Sequence, residues 1–228
     1  MERLGWRIYG PTLRSDPRAM HLPPVYLITD RRIATPDLYS AVEAALKGGV
    51  RMVQLREKDL SAQELKRVAE KIIELTRFYG ARLLLNGQPE LAHDLEADGV
   101  QLGVNSCQIT VARKLLGEKA LIGYSAHSTL EVEAAADQGA DFVTFSPIYS
   151  TASKAQYGPP QGVPALAAIC RQSRIPVYAL GGINIDRTRE VLNAGASGVA
   201  FISAILGSSN IKTTTQQLVQ EVSNFSAS

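Results

Sequence analysis

From Val25 onward the chain alternates eight times between a short apolar run and a longer stretch of helical period, and this repetition restricts its fold more than any other feature. The short runs are VYLIT at 25–29, MVQL at 52–55, RLLLN at 82–86, GVQL at 99–102, LIGYS at 121–125, FVTFS at 142–146, PVYAL at 176–180 and GVAFI at 198–202. Rich in Val, Ile and Leu, they read as strands buried on both faces. The stretches near 36–47, 61–79, 88–96, 107–117, 129–138, 163–171, 184–194 and 212–223 set apolar residues on one helical face and polar residues on the other. Gly48-Gly49, Gly80, Gly139 and Gly195 follow helical stretches, as residues that end helices do. Eight βα units predict an α/β fold of one domain, a (β/α)8 TIM barrel spanning 25–228. An open doubly wound sheet alternates in the same way, but no G-x-G-x-x-G follows the first strand.

Residues 1–24 carry no helical period and no apolar stretch of the signal-peptide kind, and read as a short irregular extension. No apolar run is long enough to span a bilayer. Cys107 and Cys170, the only two cysteines, form no C-x-x-C pair, which fits reduced packing residues and a cytoplasmic location. With 24 Lys plus Arg against 22 Asp plus Glu, the net charge of +2 gives no basic footprint for nucleic acid. Any bound anion has to be held by a local site.

A barrel of this kind carries its chemistry at the strand C-termini and in the loops that follow. Polar and glycine residues gather there: Thr29-Asp30-Arg31, Gln54-Leu55-Arg56-Glu57-Lys58, Asn86-Gly87, Gln101, Ser125 with His127, Ser146-Pro147 with Thr151, Ser153 and Lys154, Gly181-Gly182, and Ile202-Ser203. The last two loops, after strands seven and eight, suit a phosphate held on backbone N–H groups; their alternative role is tight turning. Arg56 and Lys58 could grip a phosphate or carboxylate, or pair with Glu57 and Asp59. Asn86 offers a donor and an acceptor, or caps the next helix. Of the three histidines only His127 is predicted to face the pocket, where an imidazole can carry protons near neutral pH.

The segments VYLITDR, GGVRMVQLREKD, RLLLN, ADGVQLG, LIGYSAHS, ADFVTFSPIYSTASK, VYALGGIN and AGASGVAFISAI together resemble the thiamine phosphate synthase and TenI superfamily from Val25 to Leu206. The resemblance implies a barrel that binds a thiazole phosphate, with its phosphate at Gly182, Ile202 and Ser203, to which the reading of the glycine loop adds Gly181. It also implies substrate contacts at Gln54, Arg56, Lys58, Asn86, Ser125, Thr151, Ser153 and Lys154. Synthases join a pyrimidine pyrophosphate to the thiazole with Mg²⁺ held by two carboxylates. At the matching positions this chain has Gly87 and Ser106. Its N-G pair, its V-Q-L and its S-A-H-S segment are similar to TenI-type thiazole tautomerases, which aromatise a carboxylated thiazole phosphate by a metal-independent proton shift. His127 matches their catalytic histidine, with Ser125 expected to orient it or touch substrate. The primary expectation is therefore a tautomerase with no cofactor and a small-molecule partner. A synthase with a degraded Mg²⁺ site is the second reading, supported by the intact Q-L-R-E-K run. A catalytically silent thiazole-phosphate-binding protein is the third. The sequence is compatible with a homo-oligomer and does not require one.

Overall fold

The computed structural model describes residues 22–151 and 159–226. Eight strands alternate with helices in the order β1 (Val25–Ile28), α1 (Leu38–Lys47), β2 (Met52–Leu55), α2 (Ala62–Phe78), β3 (Arg82–Asn86), α3 (Pro89–Asp94), β4 (Gly99–Leu102), α4 (Ile109–Leu116) and β5 (Leu121–Ala126). There follow α5 (Thr129–Asp137), β6 (Phe142–Phe145), α6 (Gly162–Gln172), β7 (Val177–Leu180), α7 (Ile185–Asn193), β8 (Gly198–Phe201), α8 (Ser203–Leu206) and α9 (Ile211–Ser226). Every strand pairs in parallel with its sequence neighbour, and β8 closes on β1 through Val25↔Val199 and Leu27↔Phe201. The fold is a closed (β/α)8 barrel of one domain.

Local chemistry sets the element ends. The run Ser61-Ala-Gln-Glu64 forms a reciprocal capping box: Ser61 Oγ accepts from the Glu64 N–H, and Glu64 Oε2 accepts from the Ser61 N–H at 2.9 Å. Asp37, Ser128 and Asn184 cap α1, α5 and α7 one-sidedly, each accepting the N–H three residues on. One element escapes the sequence pattern: α8 is a single turn, too short to show a helical period.

Two apolar clusters hold the barrel. The larger lies between strands and helices, and the smaller fills the interior with Tyr26, Ile28, Met52, Leu84, Leu121, Phe142, Tyr178 and Ala200. Burying each large side chain contributes roughly 1.5–3 kcal/mol. Tyr26, Phe142 and Tyr178 meet edge to face, with ring centroids 5.3–6.1 Å apart. Below them, the Tyr178 hydroxyl donates to the Pro23 carbonyl at 2.9 Å and Val199 N–H to that of Pro24 at 2.8 Å, while Leu22 packs on the same cluster. Residues 22–24, read from sequence as part of the extension, are thus tied to the barrel floor. The opposite end is left to polar groups.

Candidate active site at the strand ends

Side chains alternate along a strand, so residues two or four places beyond an interior one share its side. From Met52, Leu84, Leu121, Phe142 and Ala200 this rule turns Gln54, Asn86, Ser125, Thr144 and Ile202 inward at the C-terminal mouth. Gln54 is almost fully buried, yet its amide makes no hydrogen bond to a described residue. Asn86 likewise bonds to none with its side chain, and α3 begins at Gln88 without a side-chain cap. A capping role for Asn86 therefore drops out.

Acidic groups beside the rim cations are engaged elsewhere. Glu57 is buried, accepts the Thr29 hydroxyl at 2.6 Å and takes the Arg31 N–H on both oxygens at 3.0 and 3.2 Å. Thr29 Oγ1 in turn accepts the Arg56 N–H at 2.9 Å. Asp59 pairs with Arg31 at 2.6 Å. Asp30 is gripped by Arg32 at two points, which holds its carboxyl below the usual carboxylate range. Neither Arg56, half-buried, nor Lys58, exposed, forms an ion pair with a described residue, so the expected alternative pairing with Glu57 and Asp59 does not occur.

His127 is fixed at two points. Its backbone N–H donates to Glu131 Oε2 at 2.6 Å, and its ring Nδ1 lies 2.7 Å from the Ser146 carbonyl oxygen. A carbonyl only accepts, so the proton of a neutral ring sits on Nδ1 and the Nε2 lone pair is left free. Nε2 bonds to no described residue. Orientation thus comes from Ser146 rather than Ser125, whose hydroxyl is engaged by Gln101 Nε2 at 3.1 Å. The Ser146 carbonyl, like the buried Thr29–Glu57 contact, has no signature in the sequence. Gln101 already stood among the rim residues of the sequence, and Thr144 could have been found by its inward parity.

Gly181 and Gly182 have φ of +104° and +66°, and a Cβ on either would come within 2.8 Å of Pro147 or of the Ser150 carbonyl. Only glycine fits this close approach of two loops. Tyr149 N–H donates to the Gly181 carbonyl at 3.0 Å, Arg187 Nη1 to that of Gly182 at 2.7 Å, and the Arg187 guanidinium lies 4.4 Å over the Tyr149 ring. Burial, and then the hydrogen bond to Glu190, push the Tyr149 phenol up to about 12. The Gly182 and Ser203 N–H groups donate to no described residue and remain available to a ligand. Thr151 is half-buried beside this loop pair; Ser153 and Lys154 lie outside the described residues.

The magnesium that the resemblance implies does not fit these residues. A Cβ on Gly87 would stand 3.3 Å from Ser106 Oγ, so the two positions that carry carboxylates in synthases face each other here as a hydrogen and a hydroxyl. The hydroxyl already accepts the Gly103 N–H at 3.1 Å. Mg²⁺ is a hard cation usually held through one or two carboxylates with phosphate oxygens, and this pair offers none.

Comparison with known proteins gives the family. The family model described as thiamine monophosphate synthase (TMP-TENI) matches residues 25–205. A Geobacter sulfurreducens protein named "Putative thiamine-phosphate synthase" is 52% identical over 183 residues, covering 80% of this chain and 86% of the relative. A thiamine-phosphate synthase of Roseiflexus sp. is 37% identical, with 91% and 89% covered. The solved structure of thiamine phosphate pyrophosphorylase from Pyrococcus furiosus superposes with a TM-score of 0.83 at 32% identity, covering 92% of this chain and 99% of that one. These names stand with the synthase reading of the sequence rather than with the tautomerase. With the barrel, the rim and 181 residues of family match in register, the chain belongs to the thiamine monophosphate synthase family.

Proposed function

We propose that the chain acts on a thiazole phosphate in thiamine formation, and that its own reaction is the metal-independent proton shift that aromatises a carboxylated thiazole phosphate. The observation that carries this choice is the facing pair Gly87 and Ser106, where a magnesium-dependent coupling needs carboxylates. The substrate phosphate rests on N–H groups at Gly181, Gly182, Ile202 and Ser203. Arg56, Lys58 and Asn86 hold the carboxylate and stabilise charge developing on it, while Gln54, Ser125, Thr151, Ser153 and Lys154 line the remaining contacts. Nε2 of His127 takes the ring proton, and the resulting imidazolium is steadied by its Nδ1–H on the Ser146 carbonyl. The same nitrogen returns a proton to the exocyclic carbon, so no net proton is gained or lost. One positioned acid–base group supplies roughly 10²–10⁴-fold of rate.

The second reading is magnesium-dependent joining of a pyrimidine pyrophosphate to the thiazole. The names of the relatives, at 37–52% identity, favour it over the proton shift, as does the intact Gln54-Leu55-Arg56-Glu57-Lys58 run. One pair of assays separates the two. Aromatisation is followed by absorbance in the presence of chelator, and thiamine phosphate formation is measured from both phosphorylated precursors with Mg²⁺. The expected result is aromatisation in chelator, lowered about 10²-fold or more by His127→Asn with ligand binding retained. Magnesium-dependent thiamine phosphate formation without aromatisation would establish the second reading instead.

A further inference from the structure

Beneath the mouth, four polar side chains from four strands form a chain of hydrogen bonds. The Tyr26 hydroxyl lies 3.3 Å from Gln101 Oε1, and Gln101 Nε2 lies 3.1 Å from Ser125 Oγ and 3.4 Å from Thr144 Oγ1. Thr144 Oγ1 stands 3.5 Å from Ser125 Oγ. Tyr26, Gln101 and Thr144 are buried, and burial holds the Tyr26 phenol well above its usual range, hence protonated. Gly123 makes the room: a Cβ there would sit 2.3 Å from Gln101 Oε1.

Counting donors fixes the orientation of the Gln101 amide, and the geometry of the Thr144–Ser125 contact makes the Thr144 hydroxyl its donor. With Oε1 toward Tyr26, the phenol proton has an acceptor and both amide hydrogens reach hydroxyl oxygens. Turning the amide round leaves the buried Tyr26 O–H without an acceptor among the described residues and strands one amide hydrogen. In the satisfied arrangement Ser125 Oγ accepts from Gln101 and from the Thr144 hydroxyl, which leaves its own hydrogen for a partner outside the network. We propose that Gln101, oriented by Tyr26, is a positioning residue that holds Ser125 as a hydrogen-bond donor, so that the ligand presents an acceptor there, its carboxylate or its ring nitrogen. The proposal rests on the thiazole phosphate reading and adds a polarity to one wall of that site.

Calorimetric titration of the full chain with two thiazole phosphates, one carboxylated and one not, tests this. Ser125→Ala is expected to weaken binding about fivefold to tenfold. A loss confined to the carboxylated ligand identifies the carboxylate as acceptor, and a loss with both identifies the ring nitrogen. Gln101→Glu, which accepts from Ser125 and so turns its proton away, is expected to weaken binding similarly, and to have no further effect in the Ser125→Ala background. Tyr26→Phe, which frees the amide to turn while keeping the ring packed, covers the case in which Gln101→Glu does not fold; its effect is expected to vanish in the same background. Additive losses from Gln101 and Ser125, or full affinity in Ser125→Ala, overturn the assignment while wild-type binding leaves the thiazole reading standing. Wild-type protein that binds neither ligand overturns both.

Discussion

Glu57 sits between two rim cations in sequence and neutralises neither. Its burial and its bonds to the Thr29 hydroxyl and the Arg31 N–H turn it into a tie between the loops after β1 and β2. Because Thr29 also accepts the Arg56 N–H, this tie sets the backbone that carries Arg56 at the end of β2. Glu57→Gln keeps one acceptor but brings an N–H against the Arg31 N–H, leaving a buried group unmatched. The expected loss is about 1–3 kcal/mol, which lowers the melting temperature by roughly 2–12 °C for a chain of this size. Thermal unfolding measures it, and an unchanged melting temperature would remove Glu57 from this role. Sequence alone ranks Glu57 with the surface charges because Arg56 and Lys58 flank it. Only the closure of β1 against β2 brings Thr29 to it. His127 was legible by its place after the fifth strand, whereas its orienting carbonyl, belonging to the main chain, leaves no trace in residue type.

At the scale of elements, the strands were legible almost to the residue: MVQL, RLLLN and GVQL coincide with β2, β3 and β4. Burial on both faces makes such runs continuously apolar, and a helix follows each of them. The turn α8 was not legible, because four residues cannot display a 3.6-residue period. The pairing of the loops after β6 and β7 was half legible: two glycines announce a close approach without naming what approaches. The structure supplies Tyr149 and Ser150 on one side and the Arg187 grip on the Gly182 carbonyl on the other. Gly182→Ala would put a Cβ 2.8 Å from the Ser150 carbonyl oxygen at a φ of +66°. Such strain is worth about 1–3 kcal/mol, and the loops are expected to part rather than absorb it. Affinity for inorganic phosphate, measured by calorimetry, is therefore expected to fall more for Gly182→Ala than for Gly80→Ala, a glycine also at positive φ whose Cβ would meet nothing within 4 Å. Equal behaviour of the two variants would mean that the loop pair has no part in holding phosphate.

For the whole molecule, a net charge of +2 hides an uneven arrangement. Arg31 and Arg32 are matched by Asp59 and Asp30, Arg113 by Asp141, Arg189 by Glu221, and these pairs cancel within a few ångströms. Arg56 and Lys58 form no ion pair with a described residue, and they follow β2 at the strand-end rim where the proposed ligand, with its phosphate and carboxylate, would enter. Fields of opposite pairs decay quickly, so a distant anion senses the unmatched cations more than the total. With a screening length of about 10 Å at 0.1 M salt and about 3 Å at 1 M, the kcat/KM for a thiazole phosphate is expected to fall about threefold to tenfold between those conditions, with kcat nearly constant. Replacing both Arg56 and Lys58 by glutamine is expected to lower kcat/KM at low salt to near the high-salt value and to flatten the dependence. A salt response that survives the double replacement would place the attracting charge elsewhere on the chain, and a flat response in the wild type would leave capture to the backbone N–H groups alone.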